Sequence, residues 1–297
     1  MFEAKKNEYL KAKILQELES KIPALPEVIK NLLNVQYYSD VPVSKIAQEI
    51  AMDPNLAAEI LRFANSNMFL SLRVTSLEHA IVVLGVYNVA RISLAFWVKR
   101  LHESSDLIGY RQRKRDIVLQ SFVGAYASKR LADIVDPFLS TSAFTSAAIR
   151  LLGRLIIDFY VYSQKTDIIR QIYSGDESYV AEEKILGISF PEATYIITNS
   201  WGIPDDIKIP CRYFRCPDNL PDEVSPIIRK LTYILHVGDI IAQMTGAGAA
   251  FDNMIERFSR RSFYVLNIDE RIIEGIFYET FVRTEKIIEE ILPEKIL

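Results

Sequence analysis

The sequence predicts an all-α protein: a multi-helix bundle built from two consecutive helical halves and closed by further helices. Three observations predict it. Apolar residues recur at helical spacing along nearly the whole chain. The alternation of period two that marks a half-buried strand is missing. Helix start and stop signals, such as Asp53-Pro54 and Trp201-Gly202-Ile203-Pro204, punctuate the periodic runs. At 297 residues, with 49% hydrophobic and 25% charged residues, the chain is long enough for a large core and ordinary for a globular protein.

Leu10, Ile14, Leu15 and Leu18 make residues 5–20 a short amphipathic helix. Pro23 and Pro26 interrupt it, and Glu27 to Leu33 resumes with Val28, Leu32 and Leu33 on one face. Residues 44–65 form a helix pair. Ser44 is placed to cap the first, which buries Ile46, Ala47 and Ile50. Asp53 caps the second, with Pro54 at its first position and Leu56, Ala57, Ile60, Leu61 and Ala64 inward; Asn65-Ser66-Asn67 ends it.

The pair has the outline of a DNA-binding helix-turn-helix. Its charges between residues 41 and 66 are Lys45, Glu49, Asp53, Glu59 and Arg62, about one net negative. Nothing there attracts phosphates, so no DNA contact is expected.

Thr75-Ser76-Leu77-Glu78 reads as a capping box opening the next helix, which Gly85 ends. Tyr87 to Arg100 follows, with Val89, Ile92, Phe96 and Trp97 inward. The window from Ala80 to Val98 is the most apolar, yet it holds Gly85, Asn88 and Arg91. It reads as two buried helices rather than a membrane span. The first residues carry both charge signs and lack the apolar run of a signal peptide, so a cytoplasmic location is expected.

Residues 101–112 turn polar and form the internal boundary. Arg111, Arg113, Lys114 and Arg115 read as a solvated helix start, an anion or acidic-partner contact being the alternative. Ile117 to Asp133 is the next helix, and a long helix from Leu139 through Ile157 into Tyr160 follows. Shorter helices cover residues 168–173, 178–186, 191–201 and 205–214. A Pro- and Asp-rich loop over residues 216–226 leads to a strong helix from Ile227 to Gln243, closed by Gly246 and Gly248. Two further helices end the chain, the second long and amphipathic from Asp269 to Ile291. Cys211 and Cys216 are read as a reduced pair, a disulfide being the alternative.

The carriers of a family resemblance are Ile22-Pro23-Ala24-Leu25-Pro26, Asp53-Pro54, Leu61-Arg62-Phe63-Ala64-Asn65-Ser66, and the run from Ser76 to Gly85. In the second half they are Gly153-Arg154, Gly187-Ile188, Trp201 to Pro204 and the helix around Asp239. On these residues the chain resembles the HDOD proteins, a bacterial signalling family related to the HD phosphohydrolases. The resemblance implies an HD-like second half preceded by a helical N-terminal half. It divides the chain into an N-terminal helix (1–20), an HDOD-like region (21–216, its halves 21–105 and 106–216) and C-terminal helices (217–297).

HD enzymes hold a metal through a His, an adjacent His-Asp pair and a later Asp, because phosphoester hydrolysis needs an activated water and a neutralised phosphoryl oxygen. Carried onto this chain, the first position falls near Gln120, the His-Asp pair on Arg150 and Leu151, and additional histidine positions near Phe190 and Phe214-Arg215. The last Asp survives as Asp239, with His236 one turn before it. The plain reading of His236 is a helix-face histidine with a satisfied partner; of Asp239, a buried or capping carboxylate.

No metal, cofactor or catalytic residue is therefore expected, and the chain is expected not to be an enzyme. Walker, G-x-S-x-G and H-E-x-x-H patterns are missing. The expected role is a non-catalytic signal-transduction module that binds partner proteins. Two alternatives stay open. One is a phosphohydrolase or phosphodiesterase with an altered metal site using His236 and Asp239. The other is a nucleotide or cyclic-dinucleotide sensor in which Arg150 and Arg154, four apart on one helix face, act with Arg215 on an anion. A homodimer through the last long helix is also open.

Overall fold

The computed structural model describes residues 2–34, 41–66, 73–248, 250 and 257–291. The described elements are helical. In chain order they are α1 (Phe2–Lys21), α2 (Glu27–Leu33), α3 (Val43–Ala51), α4 (Pro54–Ala64), α5 (Leu77–Leu84), α6 (Val86–His102), α7 (Lys114–Val135), α8 (Ser140–Ile149), α9 (Leu152–Ser163), α10 (Lys165–Tyr173), α11 (Ser178–Leu186), α12 (Phe190–Ser200), α13 (Asp205–Tyr213), α14 (Pro226–Met244), α15 (Arg261–Leu266) and α16 (Glu270–Ile291). Short 3-10 turns at Pro137–Leu139 and Pro217–Asn219 precede α8 and α14.

Several local expectations hold for the reasons given. Asp53 caps α4, its carboxylate accepting from the backbone N–H groups of Asn55 and Leu56 at 3.1 and 3.0 Å. The same carboxylate pairs with Arg100 of α6 at 2.7 Å, so one residue starts a helix and ties it to its neighbour. Gly85 takes φ +79°, which turns α5 into α6 through 112°. Among the described residues no single helix is long and apolar enough to cross a membrane. Gly246, at φ +73°, follows the end of α14 in the left-handed conformation that closes helices. Cys211 and Cys216 are free thiols.

Three local expectations are corrected. Ser44 lies inside α3, whose cap position is Pro42 with no side-chain bond. At α5 the cap is Ser76, accepting from His79 N–H at 3.1 Å, so the cap lies one residue after Thr75 and the reciprocal box expected with Glu78 is replaced by a single cap bond. Asn67 of the expected α4 terminator lies outside the described residues, but Asn65 ends the helix, bonding Leu61 O and both backbone groups of Val74.

The third correction matters most. The long helix expected from Leu139 to Tyr160 is two helices, α8 and α9, with Arg150 and Leu151 in the turn between them. The hydroxyl of Thr194 on α12 accepts the backbone N–H of Gly153 at 2.8 Å, taking a donor the continuous helix would have used internally. That hydroxyl's own proton is shared between the carbonyls of Phe190 and Arg150, at 2.9 and 3.1 Å. Gly153 permits the approach, since a Cβ there would lie 2.1 Å from Phe190 O.

Every residue of α8 is buried, so it is the central helix of the protein. It packs against α6, α7, α13 and α14. Four phenylalanines join the halves across it: Phe63 of α4 and Phe144 of α8 are 4.8 Å apart, and Phe96 of α6 and Phe122 of α7 are 5.8 Å apart. Phe63–Phe96 and Phe122–Phe144 complete the ring at 5.6 and 5.9 Å. A second apolar cluster holds α14, α15 and α16 to α7 through Leu131, Tyr233, Val237, Ile241, Leu266 and Ile276. Glu279 of α16 locks this layer, accepting from Arg130 Nε at 3.0 Å and from the Tyr126 hydroxyl.

Candidate functional site

The site is built where α7, the α8–α9 turn, the start of α12, the end of α13 and α14 converge. Arg150 stands at its centre because the helix breaks there, directing its side chain along α7. Its guanidinium donates to four oxygens. Nε reaches Asp239 Oδ1 of α14 at 2.6 Å; Nη1 reaches the carbonyls of Ala147 and Ser121 at 2.6 and 3.2 Å; Nη2 reaches Gln120 O at 3.0 Å. Gly124 on α7 makes the room: a Cβ there would sit 2.7 Å from Nη2.

Asp239 is shared. Its second oxygen, Oδ2, lies 3.3 Å from Arg215 Nε and accepts from Gln243 Nε2 at 2.7 Å. Burial pushes this carboxyl up, but the charges of Arg215 and Arg150 outweigh burial and hold it below the usual carboxylate range. Burial depresses Arg150, and Asp239 opposes the depression.

Arg154 points into the same interior from α9. Its Nη1 donates to Gln112 Oε1 at 3.0 Å and lies 3.5 Å from Gln120 Oε1. The ring planes of Tyr110 and Phe190 flank it at 4.7 and 4.6 Å from their centroids. Gln112 in turn donates to Gln120 Oε1 at 2.6 Å and to Gly248 O at 2.7 Å, stitching the loop after α14 to the site. A two-residue bridge between Leu107 and Gln112, with Arg111 at φ +53°, turns Gln112 inward and leaves Arg111 in solvent.

His236, one turn before Asp239, spends both ring nitrogens. Nδ1 is 2.8 Å from Phe214 O, so it carries the proton and donates; Nε2 accepts the backbone N–H of Ser259 at 3.0 Å. Burial holds its pKa below the ordinary imidazole value.

All five candidate residues, Arg150, Arg154, Arg215, His236 and Asp239, therefore meet, and none is more than 4% exposed. Arg150 and Arg154 converge although the helix between them is broken. The other carried-over positions come along: Gln120 and Leu151 are fully buried, and the Phe190 and Phe214 rings meet edge to face at 6.0 Å.

Three residues of the site have no signal in the motif. Glu182 of α11 is buried and accepts from the Tyr110 hydroxyl at 2.7 Å and from the Phe190 N–H at 2.8 Å. Gln112 sits in a stretch that reads as a polar linker. His102, at the end of α6, is wholly buried; burial first, and then Arg150 and Arg154, push its pKa down to about 3.

The residues present do not fit the divalent metal of an HD enzyme. Gln120 offers an amide already bonded to Gln112, Leu151 offers no donor, and Arg150 puts a cation where a ligand is needed. Asp239 has both oxygens engaged by arginines, and His236 has no free lone pair. Among the described residues no group of three His, Cys, Asp or Glu side chains is arranged to hold a metal ion.

Comparison with solved structures places the fold. An HDOD domain protein of unknown function from Geobacter sulfurreducens superposes with a TM-score of 0.74 at 16% identity, covering 95% of this chain and 98% of that one. A protein from Marinobacter aquaeolei VT8 named for signal transduction gives 0.68 at 18%, covering 96% of this chain and 66% of that one. A protein from Shewanella amazonensis SB2B named as a phosphohydrolase gives 0.65 at 21%, covering 95% and 97%. No curated protein matches. The HDOD domain family model matches residues 22–215. With that match spanning more than half of the sequence, and with the fold shared, the chain belongs to the HDOD family.

Proposed function

We propose that this HDOD protein is a non-catalytic signal-transduction module that acts by binding partner proteins. One observation carries the reading: the Arg150 guanidinium is bonded to Asp239 where an HD enzyme would hold its metal. A bond of this kind, with both partners buried, is costly to open, because either group left alone would be an unpaired interior charge. Hydrolysis would require a metal to displace it. The altered-site phosphohydrolase is disfavoured for that reason, and because His236 is already bonded on both sides.

The nucleotide-sensing alternative needs the three arginines to face an incoming phosphate. Arg150 instead donates at every nitrogen to the protein. A helical scaffold in which Arg150, Asp239 and His236 are bonded within the protein is suited to presenting surface to another protein. A cytoplasmic location, with a signalling protein as partner, is part of this reading.

The test is a hydrolysis screen with purified protein, phosphomonoester and phosphodiester substrates including cyclic dinucleotides, and Mn2+, Fe2+ or Ni2+ supplied in turn. The expected result is no turnover above buffer in any combination. Metal-dependent turnover that Asp239→Asn abolishes would refute the proposal.

A further inference from the structure

The outward face of α16 exposes Tyr278, Phe281 and Val282, which no described residue covers. Ile276, Thr280, Ile287 and Ile291 are the buried positions of this helix. On the opposite side, Arg271, Gly275, Tyr278, Val282, Glu285 and Glu289 are exposed at alternating steps of four and three. That is the spacing of a helix–helix seam. Tyr278 is 70% exposed, and Val282, with Phe281 beside it, 57%. Gly275 is in mid-helix, where glycine weakens the element, and a Cβ there would meet nothing within 4 Å. Among the described residues nothing packs closely enough at that point to call for a glycine.

We infer that this seam pairs with the same seam of a second copy of the chain, antiparallel and centred on the level of Thr280. Charge complementarity selects the occupant and the direction. In that register Tyr278 meets Val282 of the second copy, and Arg271 meets its Glu289. The stem of its Glu285 lies over Gly275. Twofold symmetry repeats each contact, as an isologous interface must. A parallel pair would instead set Arg271 against Arg271 and Glu289 against Glu289. A single-helix seam is at the small end of specific interfaces, so the dimer forms in roughly the micromolar range.

Sedimentation velocity over about 1–200 µM protein tests this. The expected result is a dimer fraction that rises with concentration. Tyr278→Glu should abolish it. Arg271→Glu should weaken it by about tenfold or more, and R271E/E289R should restore it, since the swap recreates the pair with its signs exchanged. All these side chains are exposed, so unchanged far-UV melting is expected and reports that each variant is folded. A chain that stays monomeric throughout, a dimer indifferent to Tyr278→Glu, or an Arg271→Glu defect that the swap does not rescue would each overturn the inference.

Discussion

Arg150 Nε lies 2.6 Å from Asp239 Oδ1, with both side chains inside the protein. Asp239 also faces Arg215, so one carboxylate holds two guanidiniums together. Asp239→Asn keeps the shape and removes the charge. It is expected to destabilise the protein by about 3–5 kcal/mol, because the arginines are left buried without it. Urea denaturation followed by circular dichroism measures this. A loss under about 1 kcal/mol would mean the ion pair is not the organiser described above.

Gly124→Ala tests the room made for the guanidinium. The added methyl would press on Arg150 Nη2, which cannot retreat without dropping its bond to Gln120 O. A cost of about 1–3 kcal/mol is expected. In an Arg150→Met background the cost should largely vanish, so a double-mutant cycle should return a coupling of about 1 kcal/mol or more. Additive effects would place the strain elsewhere.

Acid sensitivity should trace to His102. Its folded pKa is depressed to about 3 against 6.5 for the free side chain, so the unfolded chain binds its proton first as pH falls. The stabilisation is complete above pH 6.5 and is lost between 6.5 and 3, at up to about 1.4 kcal/mol per pH unit. His236 is shifted in the same direction and adds to the slope. His102→Phe should flatten the pH dependence of the melting temperature between pH 6.5 and 4.5. An unchanged slope would count against it.

The cap of α5 separates two neighbours. Ser76 accepts the His79 N–H, so Ser76→Ala should cost about 1 kcal/mol. Thr75→Ala should cost little. The reverse order in thermal melts would restore the capping box expected from the sequence.

What was legible in the chain was local. Asp53-Pro54 announces the start of α4 because cap and first turn are contiguous in sequence, and Gly85 announces its bend for the same reason. The convergence of Gln120, Arg150 and Asp239 was legible only through family resemblance, since it joins three helices. The break at Arg150–Leu151 was not legible at all. It depends on a Thr194 hydroxyl, one donor taken across a helix contact, and Gly153, which permits the approach, lies inside α9 rather than at the turn. Glu182 and His102 escaped for a related reason: each is an ordinary helix residue until neighbouring helices close over it.

Metal content of the protein, purified without chelators and measured by elemental mass spectrometry, tests the central claim most directly. With Arg150 bonded to Asp239, manganese, iron, nickel and zinc should each fall far below one ion per chain. Stoichiometric metal that Asp239→Asn removes would contradict it.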